Sequence, residues 1–169
     1  MVTVIGAGLA GCEAALQCAR LGVPVRLYEM RPHTKTPAHQ TDDVAELVCS
    51  NSLKSEEIEN AHGLLKAELK TYGSFLLQCA ENARVPGGKA LVVDRKVFSL
   101  EVQRELEGAG VQIIREEVKE IPDGITIIAT GPLTSSAMAD ALISLLGARR
   151  LFFYDAIAPI VAAESLNME

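Results

Sequence analysis

Three short stretches carry the residue types and spacings that could do chemistry. In AELVCSNSLK (45–54) an apolar run ends in one thiol, Cys49, and Ser50, Asn51 and Ser52 follow it directly. A thiol that merely closed a core would be flanked by more core. Small hydrogen-bonding neighbours suit an accessible nucleophile or acid/base instead. GAGLAG (6–11) has the form G-x-G-x-x-G, directly after the apolar run VTVI and at the start of a helix-like run. In that context Gly6 permits a tight turn, Gly8 lets the backbone approach a pyrophosphate, and Gly11 lets helix and strand pack closely. The phosphates would meet the helix's positive end, at Ala7, Leu9 and Ala10. Glu29 ends a second apolar run 18 residues beyond Gly11. A carboxylate there accepts hydrogen bonds from an adenosine ribose and disfavours a 2′-phosphate. The alternative is a tight turn with a solvated glutamate. His39, in TPAHQT (36–41), is a further candidate only through its proximity to such a site. A lone histidine is more often solvated or structural.

These residues need a scaffold, and strand-like runs alternating with helix-like runs supply one. VTVIG (2–6), a helix over 9–21 and VPVRLYE (23–29) form a βαβ unit. Later come a helix over 95–107, a strand over 111–118, a strand over 125–131 and a helix over 135–146 stopped by Gly147. LFFYDAIAPIV (151–161) reads as one more strand, and the chain stops soon after it. The expected fold is α/β, with a parallel central sheet incomplete at its C-terminal end. It forms one partial domain over 1–169, with a cysteine-bearing insertion at about 31–94. Within that insertion the pattern predicts helices over 56–71 and 74–83. Ser52 and Ser55 are N-cap types with Glu56 and Glu57 behind them, which would put Cys49 just ahead of a helix's positive end. That end favours thiolate, while the carboxylates oppose it. A small, apolar-like thiol closing Ala45 to Val48 stays open as the other reading.

Composition narrows the functions. The chain has 169 residues, 49% of them hydrophobic, which suits a single domain able to close a core. No apolar run reaches the ~20 residues that span a bilayer, and the expectation is a soluble, cytoplasmic protein without a membrane partner. Four cysteines without CxxC spacing point to neither a disulfide framework nor a zinc site and weaken a disulfide-reductase reading. Cys12, Cys18 and Cys79 read as core thiols. A net charge of −6 argues against a broad nucleic-acid surface on this segment. The basic spots Lys66 with Lys70, and Arg149 with Arg150, read as solvated faces or helix stops.

NAD and FAD share the glycine fingerprint. TIIATG (126–131), ending in Thr130 and Gly131, resembles the second adenine-domain signature of two-dinucleotide flavoproteins of the glutathione-reductase type. EEVKEI (116–121) resembles the strand whose backbone meets the adenine there, at the position of Val118. These features favour FAD in a Rossmann-like domain. Met30 and Arg31, directly after Glu29, complete the candidate cofactor-binding set.

The set VIGAGLAG, LYEMRP, TPAH, AELVCSNSLK, GLLKAEL, ALVVDR, IATGPLTS and FYDAIAPIV, in this order, resembles one family: the folate- and FAD-dependent tRNA uracil-5-methyltransferases called TrmFO, formerly Gid. Gln40, Lys54 and Lys89 depart from its pattern. The resemblance covers the family's N-terminal portion. It implies that methylenetetrahydrofolate gives a one-carbon unit to reduced FAD, that NAD(P)H supplies electrons, and that a T-loop uridine of tRNA accepts the methyl group. It also implies two cysteines as nucleophile or acid/base, the first matching Cys49 and the second lying beyond Glu169. The isolated segment is expected not to catalyse alone. Another flavin-dependent oxidoreductase or tRNA-uridine modifier of the same fold, or a non-catalytic nucleotide-binding module, remains the alternative.

Overall fold

The computed structural model describes residues 1–147, so the strand expected over 151–161 and the pair Arg149 and Arg150 lie outside the described residues. Strand β1 (Val2–Ile5) is buried at all of its positions. Such continuous burial of β-branched side chains is what a strand covered on both faces requires. Helix α1 (Leu9–Arg20) follows, then β2 (Val25–Glu29), whose Val25, Leu27 and Glu29 are buried in alternation. The next elements are β3 (Ser52–Ser55), α2 (Ala61–Thr71), α3 (Phe75–Asn82), β4 (Arg84–Val85) and β5 (Ala90–Val93). The chain continues through α4 (Arg95–Gly108), β6 (Gln112–Arg115), β7 (Ile125–Ile128), a 3₁₀ turn at Gly131–Leu133 and α5 (Ser136–Leu146).

The main sheet runs β6-β2-β1-β7, every neighbouring pair parallel, with Val4 beside Leu27 and Ile127. From β1 the chain moves to β2 and β6 on one side and returns to β7 on the other. That reversal opens a crevice at the carboxyl ends of the strands, where open α/β sheets bind ligands. Helices α1, α3 and α4 pack on one another, and Cys12, Leu16, Leu77, Cys79, Phe98, Val102 and Leu106 are among the core side chains. Glu13 of α1 accepts from Ser74 Oγ (2.9 Å), Phe75 N (3.2 Å) and Leu76 N (2.9 Å). A carboxylate of α1 thus closes the positive end of α3.

The insertion differs from its sequence reading. Ser52–Ser55 is a strand, not a helix cap, and joins a small antiparallel sheet in the order β3-β5-β4. The helix expected from Glu56 starts at Ala61, where the Asn60 side chain accepts from Gly63 N at 3.0 Å. Glu56 is held instead in two 2.7 Å hydrogen bonds from Arg84. Lys66, expected on a solvated face, is 7% exposed, because its ammonium donates to Leu53 O (2.6 Å) and His62 O (2.9 Å). The expected strand over 111–118 stops at Arg115, so Val118 lies in the loop that follows. Among the described residues no helix is long and apolar enough to cross a membrane, and no group of His, Cys, Asp and Glu could hold a metal ion.

Candidate functional site

A cleft of about 340 Å³ opens at the carboxyl ends of β1, β2 and β7. Gly6, Gly8, Leu9 and Ala10 line it from the glycine turn, and Glu29, Met30 and Arg31 from the end of β2. Val118 faces it from the loop after β6, and Thr130 and Gly131 from the turn after β7. Ala7 and Gly11 do not line it. Ala7 is wholly buried and its N–H donates to Glu29 Oε2 at 3.0 Å, and Gly11 is buried in α1.

The three glycines of the fingerprint have different duties. Gly6 has φ +100°, and a Cβ there would lie 2.7 Å from Ala129 O, at the end of β7. Side chains rarely adopt that backbone conformation, and the close approach excludes one as well. A Cβ at Gly11 would lie 1.8 Å from Gly6 O, so α1 can sit on the turn only without it. At Gly8 a Cβ would meet nothing within 4 Å. The packing of the chain therefore demands Gly6 and Gly11, whereas the space over Gly8 opens toward the cleft. Helix α1 also has no side-chain cap, unlike α2, α3, α4 and α5, which use Asn60, Ser74, Asp94 and Ser135. Its first N–H groups have no intrahelical acceptor and carry the positive end of the helix dipole. An anion is the partner such a terminus fits.

Glu29 is 5% exposed and Arg31 2% exposed. Glu29 Oε1 accepts from Arg31 N (3.1 Å) and Arg31 Nε (2.8 Å). Arg31 Nη1 donates to Glu46 Oε2 (2.7 Å) and Thr41 O (3.1 Å). Glu46 Oε1 also accepts from Gln40 N at 2.9 Å, so one carboxylate gathers the 40–46 loop around the buried guanidinium. Burial by itself would raise the Glu29 carboxyl. The hydrogen bonds and charge of Arg31, with the Ala7 N–H, overcome that and hold it below the usual carboxylate range. Glu46 is likewise lowered: burial opposes the shift, but the Gln40 and Thr41 donors and the Arg31 charge outweigh it. The insertion is tied to the glycine turn through Ala45 N, which donates to Ala7 O at 2.8 Å.

Cys49 is exposed and is not part of the cleft lining, although Val48, its neighbour in sequence, is. No helix begins beside it: α2 starts twelve residues later, so the favourable helix terminus read from Ser52 and Ser55 is absent. Cys12 and Cys79 are buried, as core thiols should be, and Cys18 is half-buried. Burial pushes the Cys12 thiol up to about 12 and the Cys79 thiol up to about 11. His39 lines the cleft with its Nδ1 2.5 Å from Thr36 Oγ1, and its pKa is lowered by burial and then by the Arg31 charge. Sequence reading did not single out Glu46. The available signal was an acidic residue inside the otherwise apolar run from Val44 to Val48.

Over its whole length, residues 1–169, the chain matches the family described as glucose inhibited division protein A. It is 56% identical to the methylenetetrahydrofolate–tRNA-(uracil-5-)-methyltransferase TrmFO of Dictyoglomus thermophilum over 99% of this chain and 39% of that protein. It is 58% identical to the TrmFO of Moorella thermoacetica over 98% of this chain and 38% of that protein. The chain thus spans about two fifths of the length of the curated relatives it matches. Among solved structures, FqzB superposes with a TM-score of 0.51 at 18% identity, covering 86% of this chain and 38% of that one. CtdE, solved with FAD and a substrate, gives 0.50 at 17% identity, covering 83% and 39%. At such identities the likeness is one of fold: the parallel sheet is that of a Rossmann-like architecture.

Proposed function

The chain belongs to the glucose inhibited division protein A family, and on that footing we propose that it is the FAD-binding N-terminal part of a folate-dependent tRNA (uracil-5-)-methyltransferase. The reading rests above all on identity of 54–58% to TrmFO proteins along nearly the whole chain. The cleft fits the nucleotide half of FAD. It offers an uncapped helix start for a diphosphate, open space over Gly8, and the ionised Glu29 for ribose hydroxyls. Val118 would take the adenine side, while Thr130 and Gly131, the latter at φ +63°, would let the backbone pass close to the cofactor. When bound, FAD would supply the redox step and the one-carbon relay from methylenetetrahydrofolate, with NAD(P)H as reductant.

Cys49 is the residue of this chain that would act on the tRNA. Its thiolate would add to C6 of a T-loop uracil, moving the C5–C6 electron pair onto C5 and making that carbon nucleophilic. After C5 has gained its carbon and lost its proton, the S–C6 bond breaks and the double bond returns. Exposure of Cys49 beside a residue of the cleft wall supports this role. Residues 1–169 act as one partial domain, with 31–94 as the insertion carrying the thiol. The activity belongs to a longer polypeptide in the cytoplasm, and 169 residues alone do not turn over.

Two measurements test the reading. The purified chain should take up FAD, seen as visible flavin absorbance, and a colourless protein that refuses added FAD refutes it. A polypeptide of the relatives' full length, given T-loop RNA, NADH and methylenetetrahydrofolate, should form 5-methyluridine. Methylation that survives Cys49→Ala would remove the thiol from the mechanism.

A further inference from the structure

An arginine two residues after the acidic end of β2 would ordinarily be read as a receiver for a 2′-phosphate, since guanidinium forks match phosphate oxygens. Arg31 is placed to do that: it is 2% exposed and lines the cleft beside Glu29. Its charge, however, is already engaged by two carboxylates, Nε by Glu29 at 2.8 Å and Nη1 by Glu46 at 2.7 Å. Two carboxylates against one guanidinium leave the cluster one net negative charge. Neighbouring groups do not reverse it. Arg115 donates only to the backbone carbonyls of Asp42 (2.7 Å) and Arg31 (3.3 Å), so its charge remains, but Glu116 and Glu117 line the same cleft and outweigh it, and the lowered pKa of His39 favours its neutral form.

The geometry points to Glu46 as a specificity-determining residue: by occupying Arg31 Nη1 while Glu29 holds Nε, it makes the sugar end of the cleft accept an unphosphorylated ribose and reject a 2′-phosphate. This deepens the cofactor reading and rests on it. Glu46 acts through Arg31, which makes it a positioning residue. Its placement suits that duty, since the carboxylate is fixed by Gln40 N as well as by Arg31 and cannot swing away without unpairing both. One consequence is that a 2′-phosphorylated nicotinamide nucleotide, if it serves as reductant, is received outside this cleft.

The test uses the 169-residue chain and two probes that differ only in the phosphate, ADP-ribose and 2′-phospho-ADP-ribose. Each is measured by the concentration that halves FAD loading. Wild type should prefer ADP-ribose by at least about tenfold, equivalent to roughly 1.4 kcal/mol. Glu46→Gln should narrow that ratio by about fivefold or more through better binding of the phosphorylated probe, as expected when an opposing charge is removed from a partly buried site. Glu46→Asp keeps the charge and should keep most of the preference, which separates a charge effect from loss of packing. The inference is overturned by a wild type without preference, by a ratio unchanged in Glu46→Gln, or by equal narrowing in both variants. Because Glu29 also disfavours a 2′-phosphate, it is the narrowing in Glu46→Gln that supports the inference, and a wild type without preference overturns it even if a variant fails to fold. A wild type that binds neither FAD nor ADP-ribose removes the cofactor reading itself, an outcome distinct from FAD binding with no discrimination.

Discussion

Gly8→Ala and Gly11→Ala remove the same kind of residue from the same fingerprint and should fail in different ways. At Gly11 the added Cβ would stand 1.8 Å from Gly6 O, and the obstacle is backbone, so either α1 or the turn after β1 must move. Overpacking of this kind typically costs 1–3 kcal/mol, occasionally more, and a backbone obstacle at that distance belongs at the upper end, about 3 kcal/mol. At Gly8 the Cβ meets nothing within 4 Å, and the residue already has φ −75° and ψ −172°, a conformation any residue adopts. Two small terms nearly cancel there. Alanine restricts the unfolded chain, a gain of about 0.4–1 kcal/mol, and is a poorer N-cap than glycine by a comparable amount. Urea unfolding without ligand should therefore leave the Gly8→Ala midpoint close to wild type and lower that of Gly11→Ala sharply at unchanged slope. FAD titration should reverse the emphasis, with Gly8→Ala losing about tenfold or more in affinity while still folded, because its methyl group fills the diphosphate cradle. If Gly8→Ala unfolds as easily as Gly11→Ala, or binds FAD like wild type, the division of labour among the glycines is wrong.

Acid should weaken the fold through the carboxylates on Arg31. Glu29 and Glu46 are held below their ordinary value of 4.5, so their contribution is fully present above that pH and is lost as pH falls through the lower folded values. Urea midpoints measured downward from pH 6 should drop below about pH 4.5, and Glu29→Gln should flatten that drop. Asn60→Ala removes the oxygen that accepts from Gly63 N at 3.0 Å and should cost about 1 kcal/mol of stability, read by the same unfolding curves. With a thiol reagent on the native chain, Cys49 should react first and Cys12 and Cys79 only on unfolding, since the latter two are buried with raised pKa values. Cys49→Ala should abolish the fast phase, and a persistent fast phase would place the accessible thiol elsewhere.

What the sequence disclosed follows from the range over which each decision is made. The β1–α1–β2 unit was legible because its signals are local: a buried run, a glycine turn and an acidic strand end lie within 29 residues. Strand β3 was not, because its structure depends on a distant partner. Ser52 and Ser55 pair with Val92 and Ala90, and four residues with a single apolar one, Leu53, carry no sign of that pairing. Glu56 and Glu57 look like a first helical turn only until Arg84 takes Glu56 and Lys89 pairs with Glu57, and the helix then waits for Asn60. The inward turn of Lys66 was hidden for the same reason, since one of its acceptors, Leu53 O, exists as such only once β3 is in place. At the site, the glycines and Glu29 could be named from spacing. Glu46 could not, because its meaning lies in the side chain it meets.

The two ends of the candidate site are built to opposite specifications, and that contrast bears on how a thiol and a nucleotide site could serve one reaction. At the nucleotide end, Glu29 and Arg31 are nearly inaccessible and no fully buried side-chain nitrogen or oxygen among the described residues lacks a hydrogen-bond partner. Gripping a fixed ligand calls for that pre-organisation, since a carboxylate free to rotate would lose affinity in being ordered. At the other end Cys49 stands exposed, one residue past the cleft wall. On the proposed reading, a nucleophile that has to reach a base in a large RNA would need access more than burial. The link between the ends is short: Glu46 holds Arg31, Ala45 N donates to Ala7 O, and Cys49 follows three residues after Glu46. An open thiol can therefore be stationed against a closed nucleotide site without a helix start behind it, by anchoring the backbone that carries it to the turn that would hold the phosphates.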